Sequence, residues 1–178
     1  AVDFSEIAYF DMSIDTMVGI PLIGLREPIF TPTQKLFKRL LDVLLSSLGI
    51  IIISPLFLLI TYAIQRDSKG AIIIRQDRIG QFGKPFAMYK FRSMYMDAPN
   101  PSYEWTEHKR ADDPRITPVG KFIRRWSLDE LPQLFNVLRG EMSLVGPRPE
   151  LPEMVNMYQS WQTKRFEAPQ GMTGWWQI

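Results

Sequence analysis

Residues Leu40–Ile64 read LLDVLLSSLGIIIISPLFLLITYAI, an apolar run of about 25 residues broken near its centre by Ser54 and Pro55. A helix of about 20 apolar residues is long enough to cross a bilayer, and the polar interruptions Asp42, Ser46, Ser47 and Thr61 lie mostly toward the ends of the run. A proline inside a helix removes one backbone hydrogen bond and crowds the preceding turn, so a straight spanning helix would be kinked or broken at Pro55.

The flanks bear on the geometry of that break. Lys35, Lys38 and Arg39 precede the run, and Arg66, Lys69, Arg75 and Arg78 follow it. Basic residues beside a membrane segment favour the cytoplasmic side, and both flanks obey this rule only if they lie on the same side. A helix that enters, bends at Ser54-Pro55 and returns to the same leaflet satisfies them, with Ser54 and its neighbours taking up the carbonyls that Pro55 leaves unpaired. Hydropathy and charge also admit a kinked spanning helix or a buried helix of a soluble core.

Composition narrows the class. The 178 residues have room for one sizeable domain, and a net charge of +2 with a pI near 8.9 suits anionic head groups. Cysteine is absent, which excludes disulfides, thiolate metal sites and a cysteine nucleophile. The single histidine, His108, cannot build a histidine-rich metal site, and no nucleic-acid signature is visible. The first twenty residues carry Asp3, Glu6, Asp11 and Asp15 rather than the basic-then-apolar order of a signal peptide.

Residues 1–33 read as a linker or the end of an upstream domain: an acidic start, a short apolar stretch from Val18 to Leu25, then breakers at Pro28 and Pro32. Residues 34–65 form the membrane helix, and 66–178 a folded unit. In that unit Ala71–Ile74 and Pro85–Phe91 read as strands, with Gly80 and Gly83 placed for a hairpin, and Met96–Arg115 as a long exposed loop. Thr117 can cap a helix starting at Pro118 and running to Trp126. A second helix is expected from about Ser127 to Arg139, stopped by Gly140, and a third from Leu151 to Phe166 between turns at Gly146–Pro149 and Gly171–Gly174.

Candidate chemistry sits at Ser127-Leu128-Asp129-Glu130. Ser127 and Glu130 match a capping box, and acids in a first helical turn are ordinary. Pro132 fits that helix only if it starts late, near Asp129, so the start is unsettled. In either case a carboxylate stands at a helix beginning. Arg124 and Arg125 precede the acids by about one turn, and Arg148 lies in a stiff turn between Pro147 and Pro149. Arginine suits bidentate phosphate recognition, although each of these residues read alone is a solvated surface cation. Lys90 and Arg92, Arg75 and Arg78 add cations at the ends of the two strands.

Together these pieces have an order. The run broken at Ser54-Pro55, Lys90-Phe91-Arg92-Ser93-Met94, Ser127–Gln133, Asn136–Gly140, Met142–Pro149 and Gly171-Met172-Thr173-Gly174 resemble the bacterial sugar transferases called monotopic phosphoglycosyl transferases, from about Lys35 to the end of the sequence. The resemblance implies a helix-rich α+β fold: a proline-broken re-entrant membrane helix plus a compact catalytic domain at the membrane interface with a small β-hairpin. It implies transfer of a hexose-1-phosphate from a UDP-sugar to polyprenyl (undecaprenyl) phosphate with release of UMP. That reaction is a first membrane step of exopolysaccharide, capsule, O-antigen or glycoprotein glycan assembly at the cytoplasmic face of the bacterial inner membrane.

By the same resemblance Asp129 is the nucleophile that forms a covalent phospho-sugar aspartate, and Glu130, with Asp129, holds Mg²⁺. Arg148 and Arg124 are phosphate clamps, Lys90, Arg92 and Arg115 complete the phosphate and nucleotide-sugar site, and Lys38 and Arg39 meet the lipid phosphate at the helix mouth. Membrane lipids are partners, a homodimer is left open, and the sugar is not identified by any residue. Members usually continue past the second glycine turn with basic and aromatic residues, Ala1-Val2-Asp3 reads as a cut through a longer protein, and Gly19–Leu25 resembles the approach to the catalytic module in large members, so the sequence is expected to be the catalytic part of a large member, truncated at both ends. Two other functions remain open: a non-catalytic membrane-anchored assembly module in which Asp129 and Glu130 only cap a helix, and a conventional membrane glycosyltransferase that releases UDP.

Overall fold

The computed structural model describes residues 11–17, 20–26, 30–96 and 113–174. The expected loop therefore lies largely outside the described residues, as do His108 and the last four residues. Two compact units divide at Lys38/Arg39. In the first, β1 (Asp11–Met17) and β2 (Ile20–Arg26) pair antiparallel, Asp11 opposite Arg26 and Met17 opposite Ile20.

One helix, α1 (Pro32–Asp67), contains the whole apolar run, and it is the one helix among the described residues long and apolar enough to cross a membrane. At 1.5 Å per residue its 36 residues extend about 54 Å. The expected break does not interrupt the helical backbone, which continues through Pro55. The cause is local. Pro55 has no N–H for the carbonyl of Ile51, four residues earlier, and the Ser54 hydroxyl donates to that carbonyl at 2.8 Å. Leu44, Leu48, Ile51, Ile52, Leu58, Leu59 and Tyr62 are exposed, whereas Asp42, Ser46, Ile60 and Ile64 are buried. The helix thus leaves a large apolar surface uncovered while burying Asp42 and Ser46, unlike the usual surface helix of a soluble protein.

In the second unit β3 (Ile73–Ile79) and β4 (Pro85–Phe91) form the expected hairpin, joined by a 3₁₀ turn at Gln81–Gly83. The first strand starts and ends later than Ala71–Ile74 because all seven β4 residues find partners, Ile73 opposite Phe91 through Ile79 opposite Pro85. Alternate faces of β4 serve two cores. Phe91 packs with Ile60 and Ile64 of α1 and with Ile123; Met88 packs with Val137 and Met142, supported by Phe86, Leu144 and Met172.

The α2 helix (Pro118–Arg125) begins as expected: Pro118 opens it and the Thr117 hydroxyl accepts from Gly120 N at 2.9 Å. The expected helix over 127–139 is instead a 3₁₀ turn (Leu128–Glu130) followed by α3 (Gln133–Arg139), with Pro132 at the α3 cap. The capping box does not form. Ser127 adopts left-handed φ of 53° and makes no side-chain cap, and the bonds Glu130 N to Ser127 O and Leu131 N to Leu128 O keep the tighter 3₁₀ spacing. Gly140 ends α3 with φ of 84°, as expected.

The glycine turns turn out to be strand ends. The short strands β5 (Ser143–Val145) and β6 (Gly171–Thr173) pair in parallel. Gly146 N donates to Thr173 O and Gly171 N to Pro147 O, and a Cβ on either glycine would collide with backbone of the other segment. The helix expected over 151–166 is only α4 (Pro152–Val155) and a 3₁₀ turn at Gln162–Phe166. Side chains take over the backbone's bonds in the gap: Gln162 Oε1 accepts from Gln159 N at 2.7 Å, and the Thr163 hydroxyl donates to Ser160 O.

Candidate active site

The 3₁₀ turn and its left-handed Ser127 present two adjacent carboxylates in different surroundings. Glu130 is held: Lys90 Nζ donates to its Oε1 at 2.9 Å, and Arg148 Nη2 lies 3.7 Å from the same oxygen. The Lys90 and Glu130 side chains are 13% and 16% exposed, so this pair is poorly screened by water. Asp129 receives no side-chain hydrogen bond from another described residue. Burial pushes its carboxyl above the ordinary value, the Glu130 charge adds to the rise, and Lys90 and Arg124 pull the other way. A carboxylate with weakened solvation, cations close by and no side-chain partner has the setting a nucleophile requires.

Four expected site residues therefore converge with Asp129: Glu130, Lys90, Arg148 and, through its field, Arg124. Three elements bring them together, namely β4 with Lys90, the end of α2 with Arg124, and the turn after β5 with Arg148. The remaining cations are used differently. Arg115 chelates Asp113 through Nε and Nη2, at 2.9 and 2.6 Å, and these bonds, with Arg124 adding its field, hold the buried Asp113 carboxyl down at about 2. Arg92 is buried and donates to Ser68 O and Lys69 O, both at 2.7 Å, just past the end of α1. Arg39 donates to Val137 O and Leu138 O at 2.6 and 2.7 Å, at the end of α3. The structure thus shows Arg92 and Arg39 bonded to backbone carbonyls, not beside Asp129 and Glu130. A guanidinium fork satisfies two orphan carbonyls where the helix dipole is negative, a stronger local claim than a distant anion. Lys38 is half-buried at the start of α1.

Sequence reasoning missed the residues that set this geometry. Asn136 is fully buried and fully used: its Oδ1 accepts from Tyr89 N at 3.0 Å, and its Nδ2 donates to Ala87 O and Glu141 Oε2. It locks α3 to the strand that carries Lys90. Arg165 braces the Arg148 turn, donating to Arg148 O at 3.1 Å and to the Tyr158 hydroxyl while pairing with Glu150 at 2.8 Å. Beside that turn lies an open cleft of about 640 Å³ walled in part by Gly146, Pro147, Tyr158, Trp161 and Arg165. A polar asparagine inside the apolar Leu134–Leu138 stretch was the one signal available in advance.

Comparison with known proteins places this arrangement. Residues 33–178 match the family model described as bacterial sugar transferase. The sequence is 41% identical over 180 residues to an undecaprenyl-phosphate galactose phosphotransferase of Salmonella typhimurium, covering 94% of this chain and 38% of that protein. It is 43% identical over 164 residues to a UDP-glucose:undecaprenyl-phosphate glucose-1-phosphate transferase of Klebsiella pneumoniae, covering 90% and 34%. Against the exopolysaccharide production protein ExoY of Sinorhizobium fredii the identity is 41% over 159 residues, 83% of this chain and 70% of that one. The chain thus spans roughly two-fifths or less of the first two relatives. Since the family model takes in α1, both carboxylates and the Arg148 turn in one match, the chain belongs to the bacterial sugar transferase family.

Proposed function

We propose that this chain carries the catalytic centre of a polyprenyl-phosphate hexose-1-phosphate transferase, with a UDP-sugar as donor, UMP as leaving product and Asp129 as nucleophile. The observation that carries the reading is the division of labour between the two acids: Glu130 is tied to Lys90 and Arg148, while Asp129 has no side-chain hydrogen-bond partner among the described residues and feels the charges of Lys90 and Arg124. An Asp129 oxygen attacks the β-phosphorus of the donor, the bond from that phosphorus to the bridging oxygen breaks, and UMP leaves with the electron pair. An oxygen of the polyprenyl phosphate then attacks the same phosphorus and expels the carboxylate. The product is a polyprenyl diphosphate sugar and the enzyme is regenerated. Each step joins two anions, so Lys90, Arg124 and Arg148 lower the barrier by offsetting charge.

The donor set fits Mg²⁺. The Lys90 hydrogen bond is made to Glu130 Oε1, and no cluster of three or more metal-binding side chains occurs among the described residues. Magnesium is commonly held by one or two carboxylates plus substrate phosphates, which matches Glu130 and Asp129 with a diphosphate. When bound, the metal would neutralise diphosphate charge and ease departure of the nucleotide.

The contacts of α1 support a membrane reading. Its first half meets the catalytic unit through Arg39 and through Asp42, which accepts from Ser143 Oγ at 2.7 Å and Leu144 N at 3.0 Å. Its second half meets the same unit through Phe57, Ile60, Ile64 and Asp67. A helix crossing the bilayer would carry one of these contact sets to the far side. Re-entry through a bend at Ser54-Pro55, which a helix continuous through a proline can make, would keep both on the cytoplasmic side and Asp129 near the interface, where a polyprenyl phosphate presents its head. The relatives named above act on different sugars, galactose and glucose, so the hexose is left undefined.

The test is to incubate the detergent-solubilised protein with Mg²⁺, polyprenyl phosphate and a panel of UDP-sugars. Release of UMP together with a lipid diphosphate sugar is expected for at least one donor. Release of UDP would instead indicate a conventional glycosyltransferase.

A further inference from the structure

A niche of about 10 Å³ is lined in part by Glu130, Arg148, Gln133, Met88, Gly171 and Met172. It has room for about one oxygen-sized group and none for a sugar ring. Gln133 is the first residue of α3 and only 3% exposed. Its amide makes no hydrogen bond with any described residue, in contrast to Asn136 one turn later, whose amide has three partners. The amide thus faces the charged niche with its N–H uncommitted within the described protein and is available to an oxygen that enters there.

We propose that Gln133 donates a hydrogen bond to a non-bridging oxygen of the donor's β-phosphate, seated in this niche on its Arg148 side. The inference rests on the donor reading given above. The chemistry of the lining selects an anion's oxygen: Arg148 supplies positive charge, the Gln133 amide supplies N–H, and the Glu130 carboxylate is already offset by Lys90 and Arg148. Gln133 then reads the group that distinguishes UDP from UMP.

The experiment measures UDP and UMP binding by titration calorimetry, with Mg²⁺, for the full chain in detergent and for Gln133→Met. Methionine keeps the unbranched shape and suits neighbours Met88 and Met172. The expected result is a loss of about 10- to 100-fold in UDP affinity, the worth of one hydrogen bond to a charged group, with UMP affinity within about twofold of the parent. Gln133→Asn, whose amide is one methylene short, should shift UDP binding in the same direction and serves if the methionine variant does not fold. Equal weakening of UDP and UMP, or no weakening of either, overturns the proposal. Failure of the unsubstituted protein to bind either nucleotide refutes the donor reading and the proposal with it.

Discussion

Replacing Lys90 by Met removes the cation that donates to Glu130 Oε1 at 2.9 Å and that does most to hold the Asp129 carboxyl down. With both side chains largely shielded, losing a hydrogen bond between charged groups costs about 2 kcal/mol, which lowers the melting temperature by about 4–8 °C. The pH dependence has a definite sign. Burial already places the folded pKa of Asp129 above its unfolded value of 3.8, so this group's contribution to stability is full below that value and is lost as pH rises through the folded pKa. Without Lys90 the folded pKa rises further, and more stability is lost at neutral pH. The attacking species is the carboxylate, so the acidic limb of the pH profile for UMP release should move to higher pH. Lys90→Arg, which keeps the charge, should return the limb toward its original position. An unmoved limb with an unchanged melting temperature would show that Lys90 is coupled to neither carboxylate.

Three other substitutions test the framework. Ser54→Ala leaves the Ile51 carbonyl without its donor and should cost about 1–3 kcal/mol in lipid nanodiscs; the cost should vanish in a Pro55→Ala background, where an amide N–H is restored. Arg92→Met strips two carbonyls of their cationic donor and should lower stability by about 3 kcal/mol. The KM for the UDP-sugar should stay within about twofold, because this arginine serves the end of α1. Gly146→Ala drives a Cβ into the Pro169 carbonyl and the Gly171 amide, and thermal melts should register about 1–3 kcal/mol of overpacking.

Features with local causes were legible in the sequence. The apolar run and its basic flanks gave the limits of α1, Thr117-Pro118 gave the start of α2, and Gly140 the end of α3. Residues whose partner is remote were not. Arg39 and its carbonyl acceptors are 98 and 99 residues apart, and sequence alone offers no way to tell such a helix cap from a cation facing a phosphate. Leu128, Leu131 and Leu134 recur every three residues, a spacing that suits a 3₁₀ turn as well as an α-helix, so the break before α3 was hidden until Ser127 was seen in the left-handed region. The glycines at 146 and 171 signalled turns, but their use is the close approach of two backbones in a parallel pair. Of the candidate cluster, the acids and Arg148 stood out by type and spacing. The asparagine and arginine that brace them are recognisable only from the hydrogen bonds they complete.

The identity of the nucleophile is tested most directly by intact and peptide mass spectrometry of the protein mixed with Mg²⁺ and a UDP-sugar donor in the absence of polyprenyl phosphate. The account predicts release of one UMP per active site and a hexose-phosphate adduct on the peptide containing Asp129. The adduct should be discharged by polyprenyl phosphate and absent from Asp129→Asn. UMP release that begins only when polyprenyl phosphate is added, with no adduct at any stage, would contradict it.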